Sequence, residues 1–218
     1  QVLEEVYVYG SFLQSRMYQA GVTCSDCHNP HTAKLRTGDD PSEVCSTCHL
    51  PSIFKATEHH RHKTQSVNCV DCHMLSREFM VIDERRDHSF RVPRPDITKV
   101  TGSPNACNDC HVDRSVEWAA QAFHDWVGDD LPDHYGFEIH AGINGSGNLP
   151  LLKVTVSADY PGIVRATALT LLQSPYSRNV ADVIQDALAN ADPMIRIGAL
   201  RALRGLPPEV QADWAAPY

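Results

Sequence analysis

The sequence predicts a mainly α-helical chain of two unlike halves. The first half is loop-rich and short of an apolar core of its own; the second is an array of short packed helices. Three observations predict it. All eight cysteines precede residue 111, in a stretch where Gly, Pro, Asn and Asp are frequent and long helical periodicity is absent. Beyond His111 there is no cysteine, and alanine and leucine dominate. Within that second half one segment recurs at an offset of 31 residues.

Composition bounds the remaining possibilities. With 218 residues, 42% hydrophobic and 21% charged, the chain can bury a core and is neither disordered nor collagen-like. No apolar run reaches the roughly 18 residues of a membrane helix; the nearest, Leu149–Val156, is interrupted by Lys153. A formal charge of −8 argues against nucleic acid as the main partner. No charged start leads into an apolar stretch and a small-residue cleavage site, so Gln1 reads as a processed or excised start with any export signal already removed.

The cysteines form four pairs of one spacing, each followed directly by histidine: Cys24-Ser-Asp-Cys27-His28, Cys45-Ser-Thr-Cys48-His49, Cys69-Val-Asp-Cys72-His73 and Cys107-Asn-Asp-Cys110-His111. This is the attachment signature of c-type haem. Two thiols on one turn can form thioethers to the vinyl groups of one porphyrin, and the next residue brings its imidazole under the iron as proximal ligand. Zinc held by four thiolates explains paired cysteines but not the invariable histidine after them. A disulfide scaffold suits domains too small for a core, and a thioredoxin-like motif would occur once. Four haem c groups are therefore expected, with His28, His49, His73 and His111 as proximal ligands. The motifs span residues 24–111, only 22 residues per group, so the haems must pack together and serve as the core of this half.

Eight histidines remain to supply sixth ligands. His31 lies too close to His28 to reach round the same ring and would serve a neighbouring haem. In Glu58-His59-His60-Arg61-His62, helical spacing puts His59 and His62 on one face and turns His60 away. His88 sits in Arg85-Arg-Asp-His88-Ser-Phe-Arg91. His31, His59, His62 and His88 are thus the four distal candidates, which predicts bis-histidine ligation. His124, His134 and His140 fall outside the segment and are read as structural. Met17, Met74 and Met80 are read as packing residues rather than ligands. Arg85, Arg86, Arg91 and Arg94 are possible contacts for haem propionates, which suit guanidinium geometry. Residues 1–111 carry 12 basic and 14 acidic side chains, residues 112–218 carry 7 and 13, so positive charge concentrates where the propionates would be.

In the second half, Val116–Val127 reads as a helix with Trp118, Phe123 and Trp126 packing between the halves. Gly145-Ser-Gly147-Asn148 reads as a turn. Ile163-Val-Arg165-Ala-Thr-Ala168-Leu169-Thr-Leu-Leu172 recurs as Met194-Ile-Arg196-Ile-Gly-Ala199-Leu200-Arg-Ala-Leu203. Asp159 and Asp192 are placed to cap the two copies, and Asn179–Asn190 supplies the helix between them. Paired helices at a period in the low thirties suggest a short HEAT-like array. No complete capping repeat is expected after Leu203, Gly205, Pro207 and Pro208. The division predicted is a tetrahaem domain over residues 1–128 and a helical-repeat domain over 129–218; the second half, net −6 over residues 112–218, is expected to dock a basic partner surface or to continue as further repeats.

Gly10–His31, Cys69–Met74, Arg85–Pro95 and Ser103–Cys107 resemble a family of bacterial multihaem cytochromes c in which the haem region is followed by HEAT-like or tetratricopeptide repeats. The family lies loosely near the pentahaem nitrite reductases and octahaem hydroxylamine oxidoreductases. In those enzymes the catalytic haem has an open site, and in nitrite reductase commonly a lysine in place of the motif histidine. All four motifs here end in histidine, so the resemblance implies no catalytic haem in this stretch. It implies electron transfer in the periplasm or outside the cell, with redox proteins or further cytochrome subunits as partners. Two alternatives stand beside this reading: part of an oxidoreductase acting on small nitrogen or sulfur species, and a subunit of an extracellular cytochrome filament.

Overall fold

The computed structural model describes residues 8–63, 67–79, 81–129, 131–173 and 178–217; Met80 lies outside them. The described residues are mainly helical, with one small sheet among them. Its chain divides into two compact units, residues 1–95 with 104–119, and residues 96–103 with 120–218. No helix among the described residues is long and apolar enough to cross a membrane.

The first unit is built from short helices: α1 (Val8–Phe12), α2 (Arg16–Gln19), α3 (Cys24–Cys27), α4 (Pro41–Ser46), α5 (Pro51–Phe54), α6 (Thr57–His60) and α7 (Cys69–His73). A hairpin of β1 (Ser76–Phe79) and β2 (Asp83–Arg86) follows, with Arg77 opposite Arg85 in the antiparallel register. Composition alone gave no expectation of this sheet. Helix α8 (Pro95–Thr101) leads into α9 (Ala106–Cys110) and α10 (Val116–Val127). The bounds of α10 are those its sequence predicts. Few apolar side chains are buried in this unit; Phe12, Leu13, Val70, Ala106 and Ala119 are the described ones. Side-chain burial supplies roughly 1.5–3 kcal/mol per large apolar residue, so five, two of them alanines, make a thin core for over a hundred residues.

The second unit is packed differently. Besides Asp96–Thr101 of α8 and Ala120–Val127 of α10, its helices are α11 (Tyr135–Ile143), α12 (Leu149–Val156), α13 (Gly162–Thr170), α14 (Arg178–Leu188), α15 (Pro193–Ala202) and α16 (Pro208–Ala215), with a 3₁₀ turn over Leu203–Gly205. Gly145 and Gly147 take left-handed φ of 96° and 72° between α11 and α12, as the predicted turn requires. Leu169, Val180, Ile184, Leu188, Ile195, Ala199 and Leu203 form one buried cluster, and Leu151, Val154, Val164 and Ala168 another.

Helices α13 and α15, whose sequences repeat, lie side by side. They approach closely enough that a Cβ on Gly198 would sit 2.7 Å from the Ala166 Cα. Arg165 donates to the Thr155 carbonyl at the end of α12 (2.8 Å), and Arg196 to the Asn190 carbonyl just past α14 (2.7 Å). Two arginines 31 residues apart thus satisfy helix-end carbonyls in the same way.

Asp192 caps α15 as expected, accepting from the Met194 amide at 2.8 Å. Asp159 does not cap α13. The N-cap is Pro161, which pre-sets the backbone instead, and Asp192 lies over the adjacent Gly162. The last helix is not the one that ends near Leu203: α16 packs Val210, Trp214 and Ala215 against the first cluster, where the sequence predicts no complete capping repeat.

His124, His134 and His140 have local partners. The His134 Nδ1 accepts from the Gly136 amide as N-cap of α11, and His140 contacts Asn144. His124 meets Asp129 at 2.7 Å. That hydrogen bond, the Asp129 charge and then Asp125 raise the His124 pKa above the ordinary imidazole value. A raised folded-state value means the pairing is in full effect below about pH 6.5. It fades as pH rises through the raised value. In an NMR titration of the ring protons, His124 is expected to titrate above the ordinary value, and Asp129→Asn should return it toward that value. An unchanged midpoint in Asp129→Asn would refute the pairing.

Candidate functional site

Each Cys-x-x-Cys-His motif occupies a single helical turn. The histidine amide bonds back to the first cysteine's carbonyl at 2.8 Å in the first motif, 2.9 Å in the second and 2.8 Å in the fourth, and the third motif is wholly within α7. Local sequence fixes these turns. Asp26 reaches back to the Thr23 amide (2.7 Å) and Asp71 to the Asn68 amide (3.0 Å), each holding a helix start. Asn105 accepts from the Asn108 amide at 3.1 Å in the fourth, and Asp40 followed by Pro41 starts α4 in the second. Both cysteines of a motif therefore lie one turn apart with the histidine directly after them.

Consecutive motifs are neighbours. The Ser42 hydroxyl of α4 accepts from the Cys69 amide at 3.1 Å, tying the second motif's helix to the third. Helices α7 and α9 pack together, joining the third to the fourth. All eight thiols are free. Burial, with a smaller contribution from neighbouring thiols, pushes Cys45 and Cys72 up to about 11, so both stay protonated at neutral pH. Among the described residues no three His, Cys, Asp or Glu side chains converge to hold a metal ion.

The motif histidines meet histidines from elsewhere in the chain. His28 faces His88 with ring centroids 6.3 Å apart and planes 33° from parallel. His73 faces His59 at 6.1 Å and 18°, and His111 faces His62 at 6.2 Å and 25°. Each pair combines one motif histidine with one of the four distal candidates. Two imidazoles bound through Nε2 on opposite sides of one metal, with bonds of about 2 Å, have ring centres about 6 Å apart. A fourth short contact, His60 with His62 at 6.0 Å, is between near neighbours in the chain.

The backbone sets which nitrogen is free. The Nδ1 atoms of His28, His73 and His88 lie 2.8, 2.8 and 2.9 Å from the carbonyls of Ala33, Arg91 and Arg86. The Nδ1 of His62 lies on the His60 carbonyl. A ring donating from Nδ1 presents an unprotonated Nε2, the arrangement of a metal-ligating histidine. His59 is held below the ordinary imidazole value by burial and then by His73, His60 and His49, which keeps it neutral. His60 is used locally: its Nδ1 accepts from the His62 amide at 3.1 Å.

The routing of His59 and His62 differs from the sequence expectation. They do not share a helical face, because α6 ends at His60 and Arg61 takes a left-handed φ of 58°. That reversal sends His62 to His111 while His59 stays with His73. His49 packs edge-on against Phe54 at 5.0 Å, and Phe54 also packs against His59 at 5.2 Å. His31 is exposed in a turn where its amide bonds to Asn29 Oδ1 at 2.9 Å. Among the described residues no ring contact joins it to a motif histidine.

The arginines singled out by sequence already have protein partners. Arg85 Nε bonds to Asp83 at 2.7 Å, Arg86 pairs with Asp71 at 3.6 Å, and Arg91 reaches Asp87 at 3.4 Å and Gln14 at 3.0 Å. Arg94 is engaged as well. Two residues the sequence did not flag, Phe54 and Arg77, also belong to this site, and Trp118, expected to pack between the halves, joins them. Phe54 lies between His49 and His59. Trp118 packs against His111 at 4.9 Å with Arg114 over its ring. Arg77 has Nε and Nη2 buried without a hydrogen-bond partner. Clustering of charge drew attention to residues 85–94, and no comparable signal marks a lone arginine. The chain matches no protein-family model, no curated protein and no solved structure.

Proposed function

We propose that this chain is a multihaem c-type cytochrome module for electron transfer, with one haem held at each Cys-x-x-Cys-His motif. The observation that carries the reading is the set of three histidine pairs, each joining a motif histidine to a predicted distal one at the separation a shared iron requires. Bound haem supplies one-electron exchange between ferric and ferrous iron. The residues of this chain would attach it and offer two histidine nitrogens to each iron, with the tautomers of His28, His62, His73 and His88 set by backbone carbonyls. His28 with His88, His73 with His59 and His111 with His62 are assigned to three irons, and His49 with His31 to the fourth by elimination. The thin apolar core of the first unit accords with cofactor taking the place of packed side chains.

The second unit is proposed to be a short HEAT-like array that docks a redox protein or a further cytochrome subunit. The 31-residue repeat, the packing of α13 on α15 and the matching roles of Arg165 and Arg196 support that reading. The module is proposed to work in the periplasm or outside the cell.

Intact mass after denaturation tests the central claim, because thioethers survive where coordinate bonds do not. The expected mass exceeds the 24.2 kDa polypeptide by four haem groups. A mass equal to the bare chain, whether or not zinc is set free on unfolding, would exclude the reading.

A further inference from the structure

We infer that Arg77, rather than the arginine run 85–94, is the guanidinium that binds a haem propionate, at the junction of the third and fourth motifs. The inference rests on the haem assignment above.

Arg77 stands on β1, four residues after His73. Its Nε and Nη2 are shut off from solvent and make no hydrogen bond. The nearest carboxylate, Asp109 Oδ1 in the fourth motif, lies 4.0 Å from Nη2, an ion pair but beyond hydrogen-bond reach. Buried donors of a permanently charged group are costly to leave unpaired.

A second observation agrees. Arg77 lies directly across the hairpin from Arg85, and opposed like charges destabilise a strand pair. Asp83 offsets Arg85 through Nε, whereas Arg77 has no such close carboxylate. The missing partner is an anion with two acceptor oxygens on the Nε and Nη2 side, which a carboxylate fits in the bidentate manner. The motifs on either side, on α7 and α9, would each bring haem carboxylates to this junction.

The test compares the haem-loaded wild type with Arg77→Gln, reading intact mass, the four midpoint potentials and the NMR signals of the axial ligands. Arg77→Gln should keep four haems by mass. It should shift one redox equilibrium about tenfold toward the oxidised form, equivalent to about 59 mV for a one-electron couple. NMR should assign the shifted group to His73 or to His111, which identifies the motif that supplies the carboxylate. Four haems with unchanged potentials, or a shift confined to the groups of His28 and His49, overturns the inference and leaves the haem reading intact. Absence of haem from the wild type instead overturns the reading on which it rests.

Should Arg77→Gln fail to load, Arg77→Lys and Arg77→Met decide. A carboxylate partner requires lysine to restore loading and methionine to fail, whereas equal rescue by methionine means that Arg77 only packs.

Discussion

His62→Ala is expected to convert a protein that binds essentially no carbon monoxide when reduced into one that binds a single equivalent per chain. The reasoning is geometric. The His62 ring lies 6.2 Å from that of His111 and from no other motif histidine, so its removal frees one position and leaves His28–His88 and His73–His59 in place. His59→Ala should do the same at the group of His73, and the double replacement should bind two equivalents. His60→Ala is the internal control. Although it stands between the other two in sequence, its Nδ1 accepts the His62 amide and its Nε2 lies 3.4 Å from the Lys55 carbonyl. It should open no position. Carbon monoxide difference spectra of the reduced proteins read all four outcomes. One equivalent bound by His60→Ala, or none by His62→Ala, would mean that the pairings assigned here are wrong.

The second large effect concerns the other unit. Gly198→Ala should destabilise it by about 1–3 kcal/mol, the usual cost of overpacking a tight contact. Intrinsic helix propensity argues the opposite way: replacing an interior helical glycine with alanine ordinarily gains about 1 kcal/mol. Packing decides between them. A Cβ at position 198 would stand 2.7 Å from the Ala166 Cα and 2.8 Å from its carbonyl oxygen. Both are backbone atoms, so the contact can be relieved only by moving α13 away from α15. Gly10→Ala, in α1, has open space around its new methyl and should be neutral or slightly stabilising. Urea unfolding followed by helical circular dichroism measures both. A stabilised Gly198→Ala would show that the two helices can separate without cost.

Much of this protein is written locally. The Cys-x-x-Cys-His turns follow from spacing and from caps within three residues, such as Asp26 on Thr23 and Asp71 on Asn68. The limits of α10 and the cap of α15 by Asp192 follow from neighbours in the chain for the same reason. A hydrogen bond four residues long needs no knowledge of the rest of the molecule.

What only the tertiary structure decided is long-range. The sequence offered distal histidines but not which motif each would meet. His28 and His88 are 60 residues apart and His62 and His111 are 49 apart, and such closures depend on everything between them. One left-handed residue, Arg61, overrode the helical spacing that would have kept His59 and His62 on one face. Arg77 escaped notice because its significance is burial and the lack of a hydrogen-bond partner, properties that belong to an environment and not to a residue type. Residue types and short spacings state which chemistry the chain carries. Its geometry arises only when distant segments are brought together, because burial and unmet hydrogen bonds exist only in the folded chain.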